Sequence, residues 1–303
     1  MSLTILKSGF QDLIQDLGRT GYSHIGISQA GAADSVSLRI ANILLGNNIN
    51  EAGIEITLFG GSYYFNKDAV ISLSGSVFTT TINNKNIPFL EPISINKGQT
   101  LNIGPTSDGA RCYLAIKGSI EVPNLLGSKS THLMSNAGGY YGRNLTKDDE
   151  IKFSNNDNNT ISNDIKFRVD KDRSVLRVTK GLQSNLFDDS NMNLFYNNEF
   201  KVSHNSNRMG LRVTGPKIYN KTSEDIITEG LPLGAIQVTG NGDSIISFVD
   251  HQTTGGYPKI ANVIAADLHK VGQLKPGDKF IFKLVSLDEA ENLYFEQERA
   301  LKI

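Results

Sequence analysis

The sequence predicts a mainly β protein of two β-rich domains, and three observations carry that expectation. Short alternating or β-branched runs recur at residues 69–73, 100–103, 110–117, 175–179, 211–214, 235–239, 244–249 and 279–285. Turn residues separate them at short intervals, which suits barrels or sandwiches. The 303 residues suffice for two domains of ordinary size, each with its own core.

Three corners resemble one another: Lys97-Gly98-Gln99, Lys147-Asp148-Asp149 and Pro276-Gly277-Asp278 each precede an alternating run and read as turns that feed a strand. Helices are expected to be few and short. Asp34 or Ser35 caps one whose apolar face is Leu38, Ala41, Leu44 and Leu45, with Gly46 ending it. A second falls within 181–197, Asp267 caps a third through Leu268 and Val271, and Ser286-Leu287-Asp288-Glu289 is a capping box for a C-terminal helix. Residues 154–164 are Asn, Asp and Ser with almost nothing apolar, so they contribute to no core and mark the boundary between a domain at 1–160 and one at 161–303.

Composition narrows the function. Thirty basic residues against thirty-one acidic ones give a formal charge of -1, so no net field draws the chain to nucleic acid or to an anionic membrane. No run approaches the roughly 20 apolar residues needed to span a bilayer, and the N-terminus lacks signal-peptide features, so a cytoplasmic location is expected. Cys112, the only cysteine, excludes an internal disulfide and lies in a strand-like run that suits a small buried hydrophobe. The five histidines show no ligand spacing, so no metal is expected; neither a P-loop nor a biotin-attachment Met-Lys pair occurs.

The densest chemistry is Asp250-His251-Gln252-Thr253-Thr254-Gly255-Gly256-Tyr257-Pro258-Lys259, a polar, glycine-bent stretch directly after the apolar run Ile245-Ile246-Ser247-Phe248-Val249. In one reading, the glycines adopt positive φ and let backbone N–H groups approach an oxyanion, carboxylate or phosphate, while Gln252, Thr253, Thr254 and Lys259 add donors. In the other, this is a β-turn punctuated by Pro258. Arg208, at a strand entry, either forks around a substrate carboxylate or pairs with an acidic residue across a domain interface. Gln237 lines a barrel face or is a satisfied core amide. Asp250 orients Lys259 or Arg208, or acts as a base. His24, after Arg19 and Tyr22, is a site histidine or a structural one.

The decapeptide resembles the D-x-Q-T-T-G-G-Y-P-K signature of the allophanate hydrolase subunit 2 family, also described as KipA-like, as biotin-dependent carboxyltransferase-like, or as the C subunit of 5-oxoprolinase. The likeness continues through Gln15-Asp16-Leu17-Gly18-Arg19-Thr20-Gly21-Tyr22, Gly31-Ala32-Ala33-Asp34, Glu55-Ile56-Thr57-Leu58, Gly127-Ser128-Lys129-Ser130-Thr131, Asn207-Arg208-Met209-Gly210 and Gly234-Ala235-Ile236-Gln237-Val238, in the family's order. His251 stands where the family more often has arginine, which argues against an obligatory acid/base role there.

This resemblance implies two barrel-like domains, the second cyclophilin-like. It implies Lys259, Asp250 and Arg208 as catalytic groups, with Gln237, Gln252, Thr253, Thr254, Gly255, Gly256, Tyr257, Arg19 and His24 around the substrate. The implied function is a subunit of an ATP-dependent 5-oxoprolinase that opens 5-oxoproline to glutamate. ATP would be bound by, or shared with, a partner, and the partners would be the other two subunits of that complex, a B-like (KipI-like) protein and an A-like protein. Two alternatives stand beside it: carboxyl transfer to a urea-like substrate with biotin on another chain, and KipA-like regulatory binding that antagonises a histidine-kinase inhibitor.

Overall fold

The computed structural model describes residues 1–154, 170–221 and 225–301. They form two compact units, one within the bounds Met1–Arg19 and Ala30–Phe167, the other within Thr20–Gln29 and Arg168–Ile303. The polar stretch expected to mark the boundary, 154–164, lies outside the described residues from 155 onward.

The first unit runs β1 (Ser2–Lys7), β2 (Gln11–Gln15), α1 (Ser35–Leu44), β3 (Gly53–Thr57), β4 (Ser62–Phe65), β5 (Ala69–Gly75), β6 (Phe78–Ile82), β7 (Lys85–Asn86), β8 (Ile93–Ile95), β9 (Thr100–Thr106), β10 (Arg111–Ile116), β11 (Ser119–Ile120) and β12 (Glu150–Ser154). One sheet has the order β11-β12-β1-β4-β9-β6-β7 and the other β2-β3-β10-β5-β8. A single apolar core joins them, with Leu3, Ile5, Tyr63, Phe65 and Leu101 from the first sheet and Ile54, Ile56, Leu73, Cys112 and Leu114 from the second. Cys112 is thus a core residue, and burial pushes its thiol well above the usual range.

Strand β10 is buried on both faces. Cys112 and Leu114 enter the core between the sheets, whereas Tyr113 and Ala115 pack on α1 through Leu38 and Ala41. Asp34 caps α1 as expected, its carboxylate accepting from Ser37 N at 2.9 Å.

The second unit runs β13 (Val175–Lys180), α2 (Asp189–Tyr196), β14 (Glu199–Val202), β15 (Gly210–Thr214), β16 (Glu229–Gly230), β17 (Ala235–Val238), β18 (Ser244–Ser247), β19 (Thr254–Gly255), β20 (Lys259–Val263), α3 (Leu268–Gln273), β21 (Lys279–Leu284) and α4 (Leu287–Leu301). Seven strands close into a barrel in the order β13-β20-β17-β18-β15-β14-β21. The seam between β21 and β13 is parallel, and the other barrel pairs are antiparallel. Phe195 of α2 stacks on Phe282 of β21 with ring centroids 4.5 Å apart, beside Phe200 and Phe280, so aromatic packing fixes the helix to the barrel.

The three look-alike corners share one device. Gly98, Asp148 and Gly277 all have positive φ, each two residues before the first residue of β9, β12 and β21. Ser286 Oγ accepts from Glu289 N at 3.1 Å at the start of α4. One helix expectation needs correction. The side chain of Asp267 does not cap α3; its carboxylate is turned to Arg177, accepting from the backbone N at 2.8 Å and from Nε at 2.9 Å. A charged partner outcompetes the helix end for that carboxylate.

Candidate functional site

The barrel unit holds a cavity of about 330 Å³. Asn207, Met209, Gly210 and Arg212 line it from the approach to β15 and from β15 itself, Gln237 from β17, and Ile245 and Ser247 from β18. Leu231, His251, Gln252, Gly255, Gly256 and Tyr257 complete the lining. Period two explains β15: Leu211 and Val213 are buried in the barrel, so Gly210 and Arg212 face the other way, into the cavity.

Two local devices shape this wall. The decapeptide is held as a two-stranded ribbon, Gly255 opposite Glu229 and Thr254 opposite Gly230, extended by Leu231 N donating to Thr253 O at 3.0 Å and Ile226 N to Gly256 O at 2.8 Å. Between β17 and β20 the register slips after Ile236, which sets Gln237 opposite Lys259. A slip of this kind re-aims side chains beside a site.

The ribbon corrects the expected role of the glycines. Neither Gly255 nor Gly256 has positive φ. What Gly255 supplies is space, because a Cβ there would sit 2.5 Å from Gln237 Nε2. At Gly256 a Cβ would meet Ile226 O at 3.3 Å and Thr228 Oγ1 at 3.4 Å, a tight but milder contact.

The three expected catalytic groups are engaged with the protein itself, and none of them lines the cavity. Arg208 forks onto Asp250, Nε to Oδ2 at 2.9 Å and Nη2 to Oδ1 at 3.2 Å, with both side chains buried. This pair lies within the barrel unit, so the pairing alternative holds for Arg208 but across no domain interface. Lys259 is not a turn residue: it begins β20, is buried, and places Nζ 2.6 Å from Oε1 of the partly exposed Glu229. Gln183 joins them, its Nε2 donating to Glu229 Oε1 at 2.8 Å and its Oε1 accepting from Lys259 N at 3.2 Å. Lys259 and Gln183 together hold the Glu229 carboxyl below its ordinary range.

One buried donor lacks a matching acceptor. Gln237 Nε2 has no hydrogen-bond partner among the described residues, whereas Lys259 Nζ on the adjacent strand is in ion-pair contact with Glu229. A buried unsatisfied amide N–H costs about 1–3 kcal/mol, so such a donor points to a ligand oxygen. His251 has the opposite character. Its Nδ1 contacts Gln252 O at 2.7 Å, which places the proton there, and burial pushes the imidazole below its usual value. The ring is therefore neutral at pH 7, with Nε2 as an acceptor.

Of the remaining expected site residues, Arg19 belongs to the first unit and is buried, its guanidinium donating to the backbone carbonyls of Ser130 and Leu125. His24 is exposed in the single turn Ser23–Ile25. Neither is among the residues lining the barrel cavity, nor are Thr253 and Thr254. The Gly127-Ser128-Lys129-Ser130-Thr131 motif wraps a carboxylate of its own chain. Asp16 accepts from Lys129 N at 2.6 Å, from Ser128 Oγ at 2.6 Å and from Ser130 Oγ.

Sequence reasoning did not select Arg212, Asn207, Met209, Leu231 or Ser247, and it set His251 aside. The signal available for Arg212 was alternation from Gly210 along a strand already expected at 211–214.

The family described as carboxyltransferase domain, subdomain A and B, matches residues 25–284. The chain is 34% identical to the 5-oxoprolinase C subunit of Escherichia coli K12, covering 97% of each chain. It is likewise 34% identical to the urea amidolyase of Saccharomyces cerevisiae, where it covers 99% of itself but only 18% of that protein. Among solved structures it is similar to the urea amidolyase of K. lactis, with a TM-score of 0.92 and 34% identity over 99% of this chain and 20% of that one.

Proposed function

The chain belongs to the carboxyltransferase-domain family, subdomains A and B, and from that premise we propose that it is the C subunit of an ATP-dependent 5-oxoprolinase. In this reading it works with a B-like (KipI-like) protein and an A-like protein to open 5-oxoproline to glutamate. The observation that carries it is Gln237 Nε2, a buried donor in the cavity wall at the strand slip, without a hydrogen-bond partner among the described residues. Opening a lactam builds negative charge on the carbonyl oxygen, and fixed donors aimed at that oxygen stabilise the transition state more than the ground state. The likeness to the 5-oxoprolinase C subunit of Escherichia coli K12 supports this reading.

The residues present fit an amide oxygen better than a triphosphate. Arg212 is the one permanent cation among the cavity-lining residues, and the Gly127–Thr131 loop already holds Asp16. ATP therefore belongs on a partner in this reading, supplying the energy that makes the lactam oxygen a leaving group. Carboxyl transfer with biotin on another chain is the second reading, supported by the likeness to urea amidolyase; the same donor would meet a ureido oxygen.

The deciding experiment assembles this chain with its B-like and A-like partners and follows glutamate and ADP formation from 5-oxoproline and ATP. We expect coupled turnover by the assembly and little by the chain alone. An assembly that leaves 5-oxoproline intact, yet transfers carboxyl from carboxybiotin to urea, would overturn the first reading in favour of the second.

A further inference from the structure

The polar groups of the barrel cavity are unevenly divided. No aspartate or glutamate lines it. Gln237 offers a buried amide N–H without a partner. Arg212 is exposed on β15 at the cavity wall, and its guanidinium makes no ion pair or hydrogen bond among the described residues. Arg208, four residues earlier, is committed to Asp250. The neutral His251 ring adds a single nitrogen acceptor to the lining. A complementary ligand offers a carbonyl oxygen to Gln237, an N–H to His251 and an anionic group to Arg212. The volume of about 330 Å³ lies at the small end of ligand pockets, which suits a compact molecule.

We infer that the cavity recognises a small cyclic amide carrying a carboxylate: Gln237 donates to the amide oxygen, His251 Nε2 accepts from the amide N–H, and Arg212 pairs with the carboxylate. This deepens the 5-oxoprolinase reading and rests on it. It moves the anion-reading role from Arg208 to Arg212 and gives Gln237 the positioning of the scissile carbonyl. Arg212 is then a specificity residue, separating a lactam acid from an uncharged lactam through one charge-assisted fork.

The test is calorimetric titration of the full chain with 5-oxoproline and with 2-pyrrolidinone, which keeps the lactam and lacks the carboxylate. Arg212→Gln should weaken 5-oxoproline by roughly tenfold or more and leave 2-pyrrolidinone unchanged, while Arg212→Lys recovers part of the loss. Gln237→Leu should weaken both probes. Because Arg212 is exposed, its variants keep the fold, and a thermal melt verifies this. Wild-type binding of 5-oxoproline that survives Arg212→Gln, or an equal loss for both probes, overturns the inference and leaves the 5-oxoprolinase reading standing. Failure of the wild-type chain to bind 5-oxoproline, alone or with its partners, overturns both.

Discussion

Arg208 and Asp250 pair within the barrel unit, two contacts of 2.9 and 3.2 Å joining side chains that are only 4% and 1% exposed. A pair so completely withdrawn from water holds the approach to β15 against the start of the decapeptide, and Asp250 N adds a bond to Arg208 O at 2.8 Å. Removing Arg208 strands the Asp250 carboxylate as a buried unpaired charge, which costs about 3–5 kcal/mol.

Arg208→Met should therefore destabilise the barrel by that amount, and Asp250→Leu should destabilise it as well by breaking the fork. The double variant Arg208→Met with Asp250→Leu should recover most of the loss, since neither charge is then left alone. Urea denaturation of the four proteins measures the coupling; additive losses would show that the two residues do not act as a pair.

The two neighbouring glycines should part company. In Gly255→Ala the new methyl displaces the end of the Gln237 side chain, 2.5 Å away, and this flexible amide yields without unfolding the barrel. Ligand affinity should fall by roughly tenfold, the scale of one lost hydrogen bond, at an almost unchanged melting temperature. Gly256→Ala meets its neighbours at 3.3 and 3.4 Å and should alter affinity little. Titration beside a thermal melt reads both; equal losses in the two variants would contradict the geometry.

Asp12 gives the first unit an inverted pH response. Its carboxyl is buried, accepts from Gly9 N and Tyr63 Oη on one oxygen and has no hydrogen-bond partner on the other among the described residues, and burial raises its pKa from 3.8 to about 6. A carboxyl raised in the folded state stabilises below the unfolded value, and that contribution is lost as pH rises through about 6. The difference is on the order of 3 kcal/mol. Asp12→Asn should abolish this loss between pH 4 and 7 and be the more stable protein at pH 7, as chemical denaturation across that range will read.

The barrel unit responds in the opposite sense. Glu229 is depressed, so its contribution is present above the ordinary glutamate value and is lost as pH falls through the lower folded one. His251 is depressed as well; its neutral state costs nothing above about 6.5, and stability declines as acid protonates the unfolded chain first. His251→Gln should flatten the higher part of the acid limb and Glu229→Gln the lower part. Melting temperatures between pH 3 and 7 separate the two.

Much of the fold was legible because alternation is local. The runs expected at 69–73, 100–103, 110–117, 175–179, 211–214, 235–239, 244–249 and 279–285 all contain strands, with ends shifted by at most three residues. What stayed hidden was non-local. Glu55 interrupts β3 with a charge, and only the fold shows that Tyr113 Oη and Ala33 N both donate to it at 2.8 Å. The decapeptide was recognisable as a site, yet the engagement of Arg208 with Asp250 and of Lys259 with Glu229 depends on barrel register. Positive φ at Gly255 was a sound expectation for a free turn; it fails because a two-residue ladder with Glu229 and Gly230 holds the segment extended.

Strand β21 sits between β13 and β14, sealing the barrel by pairing Ile281 with both Val175 and Glu199. During synthesis the other barrel strands emerge first, and β13 and β14 must wait with unpaired backbone edges until residues 279–284 leave the ribosome. Open edges of this kind recruit strands from neighbouring chains, and a closure between sequence-distant segments is slow. The final strand of the barrel thus sets the interval in which nascent copies are exposed to aggregation, and a stop just before Lys279 would make that interval permanent.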